Sequence, residues 1–151
     1  MLAGFNWFIA NILAGSARPG LLDELDHDLE FLAGHKIARI VTLTERPLPE
    51  SPALANFELI HFPIPDMGIP TPRACAQLCA RIVDGLEQRP ALLHCRGGLG
   101  RTGTIAACCL VNLGRAPEAA LSAIRAINPN YVQNTMQARF ISHYADHLGQ
   151  V

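Results

Sequence analysis

The chain has 151 residues and a mass of 16.3 kDa, enough for one ordinary domain and no second. Half of the residues are apolar and 17% are charged, so a substantial core can form and disorder is excluded as the main state. Twelve basic residues against thirteen acidic ones give a net charge of −1, which argues against a general nucleic-acid or membrane-surface binder. The first seventeen residues, Met1 to Ala17, carry no charge. They lack the basic start of a signal peptide, and Asn6 and Asn11 interrupt their apolar run. The segment also falls short of the ~20 apolar residues that span a bilayer, so no membrane span is expected. Pro19-Gly20 punctuates its end, and Asp23 to Gly34 then reads as a helix with Leu25, Leu29 and Leu32 on one face. Acidic side chains early in that helix favour its N-terminal end. Ala38 to Leu43 (ARIVTL) is a short buried strand, residues 45–53 are a proline-rich loop, and Phe57 to Phe62 (FELIHF) alternates as a second strand. Pro63 to Pro72 (PIPDMGIPTP) is too rich in Pro and Gly to be regular. Thr71 then caps a helix with Pro72 at its first position and a stripe of Cys75, Leu78, Cys79, Ile82, Val83 and Leu86.

Pro90 opens another buried strand, Ala91 to His94, and the uncharged stretch from Thr102 to Gly114 reads as a buried helix. A further helix starts at Pro117 and stops before Asn128-Pro129, and the last runs from about Asn134 to Leu148. Strands alternating with helices define an α/β domain around a largely parallel sheet. The five cysteines, Cys75, Cys79, Cys95, Cys108 and Cys109, have neither a disulfide framework's even count nor zinc-site spacing. Cys75 and Cys79 lie on one helix face and read as core packing. A reducing cytoplasm is the expected compartment.

Between the strand Ala91 to His94 and the third predicted helix stands HCRGGLGRTG, residues 94–103. Three glycines in four positions, Gly97, Gly98 and Gly100 around Leu99, let the backbone turn tightly with its N–H groups inward. With the helix N-terminus they form an anion cradle, lined by Arg96 to Arg101. Arg101, six residues after Cys95, can curl back to hold an oxyanion bidentately against the sulfur. The same dipoles and charge stabilise a thiolate, which makes Cys95 a nucleophile. Thr102 can donate its hydroxyl to the sulfur and help it leave. His94 is expected to point into the fold and brace the loop. A nucleotide-binding loop would end in Gly-Lys-Ser/Thr, which this segment does not.

HCRGGLGRTG resembles the phosphate-binding loop of the cysteine-dependent protein tyrosine and dual-specificity phosphatases. FNWFIANILAGSARPG, IVTLTERP and FPIPDMGIPTP extend the likeness over nearly the whole chain. Together they resemble the small atypical dual-specificity phosphatases of the low-molecular-mass, VHZ-like kind. The resemblance implies one catalytic domain over 1–151, a five-stranded, mostly parallel sheet flanked by helices, and a phosphocysteine mechanism with no metal and no cofactor. It makes Cys95 the nucleophile and Arg101 the phosphate ligand. It makes Asp66 the general acid that protonates the leaving group and then activates water. It assigns Gln137, in NTMQARF, to positioning that water. The family often has Arg-Pro-Gly before this helix, where this chain has Asn128-Pro129-Asn130. Asn130 can supply the left-handed turn in place of Gly.

A chain this short lacks a deep tyrosine pocket segment, so the expected substrates are phosphotyrosine and phosphoserine/threonine in proteins, met by a monomer without a main nucleic-acid role. Phosphoinositides and RNA 5′-triphosphates are alternatives with the same chemistry. Arg96 stands where phosphoinositide phosphatases often carry Lys, but their second Lys is Leu99 here. Two other classes, an inactive phosphate-binding module and a thiol-redox enzyme such as an arsenate reductase, fit less well. The first would lack a nucleophile or acid, and the second needs resolving cysteines, for which Cys108 and Cys109 are placed in the predicted buried helix.

Overall fold

Three short runs, LAGS, RIVT and ALLH, stand side by side and are buried on both faces along their whole length. That is how a parallel sheet covered by helices on both sides must read. A computed structural model describes residues 2–149. Its strands are β1 (Asn6–Ile9), β2 (Leu13–Ser16), β3 (Arg39–Thr42), β4 (Glu58–His61) and β5 (Ala91–His94). Its helices are α1 (Leu25–Gly34), α2 (Pro72–Val83), α3 (Gly100–Asn112), α4 (Pro117–Ile127) and α5 (Thr135–Gly149). The strands lie in the order β1-β2-β5-β3-β4, with β1 antiparallel to β2 and every other pairing parallel. The expected five-stranded, mostly parallel α/β sheet is therefore observed.

Alternation along the strands builds two core layers. Leu13, Val41, Ala91 and Leu93 join the layer under α2, α3, α4 and α5, while Ala14, Ile40 and Leu92 join the layer under α1. Each fully buried Leu or Ile contributes about 1.5–3 kcal/mol. The helix α3 is buried from Gly100 to Leu110 and packs against α2, α4 and α5. Its small residues, among them Gly103, Ala106, Ala107, Cys108 and Cys109, let three helices approach it at once.

Several boundaries differ from expectation for identifiable reasons. The first segment, given no element in the sequence, forms the β1–β2 hairpin. Asn11 closes it with φ +66°, a left-handed turn that Asn tolerates, and Asn6 Nδ2 donates to the Tyr131 hydroxyl at 3.0 Å. The residues that interrupt the apolar run are thus the turn and an anchor. Thr71 caps α2 as expected, its Oγ1 accepting from the Ala74 N–H at 3.2 Å. The helix ends at Val83, and Leu86 of the expected stripe is buried in the turn beyond it. Arg39, buried in β3, explains that stop. Its guanidinium donates to the carbonyls of Arg81 and Ile82 at the end of α2 and to that of Arg89 before β5, at 2.7–2.9 Å. Cys75 and Cys79 pack in the core, with their sulfurs 3.8 Å apart.

Asn130 does not supply the left-handed turn before α5. Its N–H is held by Asn128 Oδ1 at 2.9 Å, and the positive φ, +64°, falls on Val132 instead. The Asn128 side chain makes the turn locally, which moves the strained position two residues on.

Candidate active site

Because β2, β5 and β3 are parallel neighbours, the loops that follow them open on the same edge of the sheet, where α/β folds bind ligands. The loop after β5, Cys95 to Leu99, runs directly into α3. Gly98 has φ +79°, and a Cβ there would lie 2.6 Å from the backbone of Ser16 and Ala17. A side chain would therefore force this loop off β2. The Arg18 N–H donates to the Arg96 carbonyl at 3.1 Å, fastening the same two segments together.

One cavity of about 280 Å³ gathers Cys95, Arg96, Gly97, Leu99, Gly100 and Arg101 together with Asp66. Six residues from the expected phosphate loop and the expected acid thus share one space. The sulfur of Cys95 is 3% exposed with its residue and accepts the Thr102 hydroxyl at 3.1 Å. The Arg101 guanidinium is also buried. Its Nη1 donates to Glu45 Oε1 at 2.8 Å and to the Ile64 carbonyl at 2.9 Å, and its Nη2 lies 3.5 Å from Asp66 Oδ1. Nη1 is therefore anchored by the protein, which leaves Nε and Nη2 to grip two oxygens of a phosphate.

Glu45 was not marked in the sequence as a site residue. It follows β3 in TERP, and nothing in that string separates an anchoring carboxylate from a solvated one. Its carboxyl is held below the usual carboxylate range, chiefly by its own N–H, then by Arg101 and by the Asp66 N–H. The Asp66 N–H reaches Glu45 Oε2 at 3.3 Å, so one carboxylate orients both the arginine and the acid's loop.

His94 is fully buried beneath the loop. Its Nδ1–H donates to the Cys95 carbonyl at 3.3 Å, and its Nε2 accepts the Thr42 hydroxyl at 2.8 Å. Burial first, with Arg18 and Arg101 adding repulsion, pushes its pKa from 6.5 down to about 4. The folded state therefore keeps His94 neutral, and its contribution is complete above about pH 6.5 and lost as the pH falls towards 4. Between pH 7 and pH 5 this should remove about 2 kcal/mol of stability. Urea denaturation at both pH values should show that loss in the wild type and a flatter dependence in His94→Asn. Equal pH slopes would exclude His94 as the source.

Gln137 is buried behind the loop. Its Oε1 accepts from the Gln133 N–H at 2.9 Å and its Nε2 donates to the Gly68 carbonyl at 3.3 Å, two residues past Asp66. Each amide atom keeps one further hydrogen-bonding capacity, a lone pair on Oε1 and an N–H on Nε2. Gln133, not singled out in the sequence, lines the cavity itself and also fills the space a Cβ on Gly100 would need. Among the described residues, no group of three or more His, Cys, Asp or Glu is arranged to hold a metal ion.

A buried cysteine that accepts a threonine hydroxyl, an anchored arginine and a loop aspartate thus stand together at the carboxyl edge of this sheet. A family model described as "PTP-SAK: Swiss Army Knife protein, DSP-PTPase phosphatase domain" matches residues 2–145, and the chain belongs to that family. Cyclin-dependent kinase inhibitor 3 of Rattus norvegicus is 33% identical over 92 residues, which cover 58% of this chain and 43% of the relative. Protein tyrosine phosphatase domain-containing protein 1 of Mus musculus is 27% identical over 162 residues, covering 95% of this chain and 22% of the relative. The chain thus spans less than half the length of these curated relatives. The crystal structure of Tk-PTP in the active form superposes with a TM-score of 0.83 at 25% identity, covering 97% of this chain and 99% of that one.

Proposed function

We propose that the protein hydrolyses phosphate monoesters, phosphotyrosine and phosphoserine/threonine in proteins, through a phosphocysteine intermediate. The observation that carries this reading is the single cavity shared by Cys95, Arg101 and Asp66. In the first step the Cys95 thiolate attacks phosphorus. The S–P bond forms as the P–O bond to the leaving group breaks, and the Asp66 carboxyl gives its proton to the departing oxygen. Arg101 and the loop N–H groups carry the charge on the equatorial oxygens. In the second step the Asp66 carboxylate takes a proton from water, whose oxygen attacks phosphorus. Cys95 leaves as thiolate, stabilised by the Thr102 hydroxyl. Gln137, through the Gly68 carbonyl, keeps the acid's loop against the site, and His94 holds the Cys95 carbonyl. Neither a metal nor a cofactor enters these steps.

A protein tyrosine phosphatase name among the relatives supports phosphoprotein substrates. A redox relay is disfavoured because Cys108 and Cys109 are fully buried in α3, with the Cys109 sulfur 3.8 Å from that of Cys79. An inactive binding module would not keep both nucleophile and acid in one cavity. No helix among the described residues is long and apolar enough to cross a membrane. The free state of all five cysteines supports action in the cytoplasm, and we take the domain to act as a monomer.

Asp66→Asn tests the acid. Its kcat should fall about 10²-fold on an alkyl or phenyl phosphate, whose leaving group needs the proton, and far less on an aryl phosphate with an acidic phenol. Equal losses across a leaving-group series would remove Asp66 from this role. A panel of phosphopeptide, phosphoinositide and RNA 5′-triphosphate substrates, compared by kcat/KM, ranks the substrate classes.

A further inference from the structure

The catalytic cavity does not end at Asp66. Asp66, Arg96 and Arg101 also line an adjoining cleft of about 300 Å³, together with Arg18, Thr44, Glu45 and Arg46. Four of the chain's eleven arginines thus meet in one small volume, with two carboxylates. Arg101 already engages both acids. Among the described residues, the side chains of Arg18, Arg46 and Arg96 have no ion pair and no hydrogen-bond acceptor; the same holds for Arg73, Arg115 and Arg139, which lie apart from the cleft, whereas Arg39, Arg81, Arg89 and Arg125 are all bonded.

The topology makes this convergence. Arg18 follows β2, Arg46 follows β3 and Arg96 follows β5, and these strands are neighbours with parallel carboxyl ends. The Arg18–Arg96 backbone bond and the Thr44 hydroxyl, donated to the Arg46 carbonyl at 2.6 Å, fix the loops that bear them. Three unpaired guanidinium groups around one cleft repel one another, and an oxyanion between them relieves that repulsion while accepting bidentate hydrogen bonds.

The shape indicates what carries the anion. Past Arg18 and Arg46 the cleft continues into a groove of about 620 Å³ beside the Pro47–Pro52 segment. The catalytic cavity also shares Met67, Leu99 and Gln133 with a depression of about 520 Å³. A run of adjoining depressions that reaches past the catalytic cavity fits an extended chain better than a compact headgroup.

We propose that the cleft between Arg18, Arg46 and Arg96 is a second anion subsite, which takes a negatively charged side chain beside the phosphorylated residue of an extended polypeptide substrate. This rests on the phosphatase reading and deepens it. Substrate preference then follows flanking charge, rising from an apolar neighbour to a carboxylate to a second phosphate.

The test uses one phosphotyrosine peptide with Ala, Glu or phosphoserine one or two residues from the phosphotyrosine, and an inositol bisphosphate. Wild type should prefer the phosphoserine peptide over the Ala peptide by at least about tenfold in kcat/KM, through KM and decreasingly with salt. Arg18→Ala/Arg46→Ala should erase that preference and leave hydrolysis of a small aryl phosphate near wild type. No preference in wild type, or one that survives in the double variant, overturns the proposal. So does an arginine-dependent advantage seen with the inositol bisphosphate and not with the peptides. Calorimetric binding of the same peptides to Cys95→Ser reads the subsite without turnover. Loss of aryl phosphate hydrolysis in wild type would therefore refute the catalytic reading separately from the subsite.

Discussion

Cys95→Ser should reduce kcat by roughly 10⁴-fold or more, because the hydroxyl is a far weaker nucleophile and a poorer leaving group than the thiolate. The substitution exchanges one atom in a site that is already packed. The Thr102 hydroxyl that meets the sulfur at 3.1 Å has an oxygen to meet instead, and the loop, the arginine and the cavity are untouched. Binding of inorganic phosphate, followed by calorimetry, should therefore persist in the variant. Substantial residual turnover would show that another group attacks phosphorus. Loss of binding together with turnover would show that the variant had lost the loop, and far-ultraviolet circular dichroism would separate the two.

Arg101→Lys should lower kcat/KM by about 10²–10³-fold although it keeps the charge. Glu45 and the Ile64 carbonyl hold Nη1 of the guanidinium, which leaves Nε and Nη2, the latter 3.5 Å from Asp66, for the phosphate oxygens. An ammonium cannot serve Glu45 and Ile64 with one nitrogen while offering two parallel bonds to phosphate with others. The loss should fall more on kcat than on phosphate binding, because the developing equatorial charge is what the fork fits. A fall of less than about tenfold would mean that charge alone suffices, and that the anchoring by Glu45 has no catalytic consequence.

Much of this could be read from residue order. LAGS aside, the strands are bounded by turn residues, and HCRGGLGRTG declares its chemistry because glycine, cysteine, arginine and threonine have no common structural reason to occur together. The sheet interior was legible because full burial demands apolar runs. What escaped was set by tertiary placement. The β1–β2 hairpin hid in an uncharged stretch where neither period is visible, and its turn rests on one asparagine in a left-handed conformation. Arg39 sits in an apolar run as a charged residue, yet it is buried because two carbonyls from the end of α2 and the Arg89 carbonyl accept its hydrogen bonds. Glu45, Arg18 and Arg46 are ordinary loop residues in sequence. They reach the site only because parallel neighbours deliver their loops to one edge.

The charge distribution follows the same division. Residues 1–70 hold nine acidic and four basic residues, and residues 71–151 hold four and eight. A net charge of −1 conceals this asymmetry. Asp66 and Glu45 come from the acidic part, Arg96 and Arg101 from the basic part, and the active site is where they meet.

In the proposed reaction, phosphate passes through the Cys95 sulfur. Rapid acid quench of the enzyme during turnover of a radiolabelled phosphoester, followed by proteolysis and mass spectrometry, addresses it most directly. A phosphorylated peptide carrying Cys95 should form and be depleted on the timescale of turnover and be absent from Cys95→Ser. Turnover at full rate with no labelled cysteine under conditions that preserve a thiophosphate ester, or with the label on another residue, would contradict it.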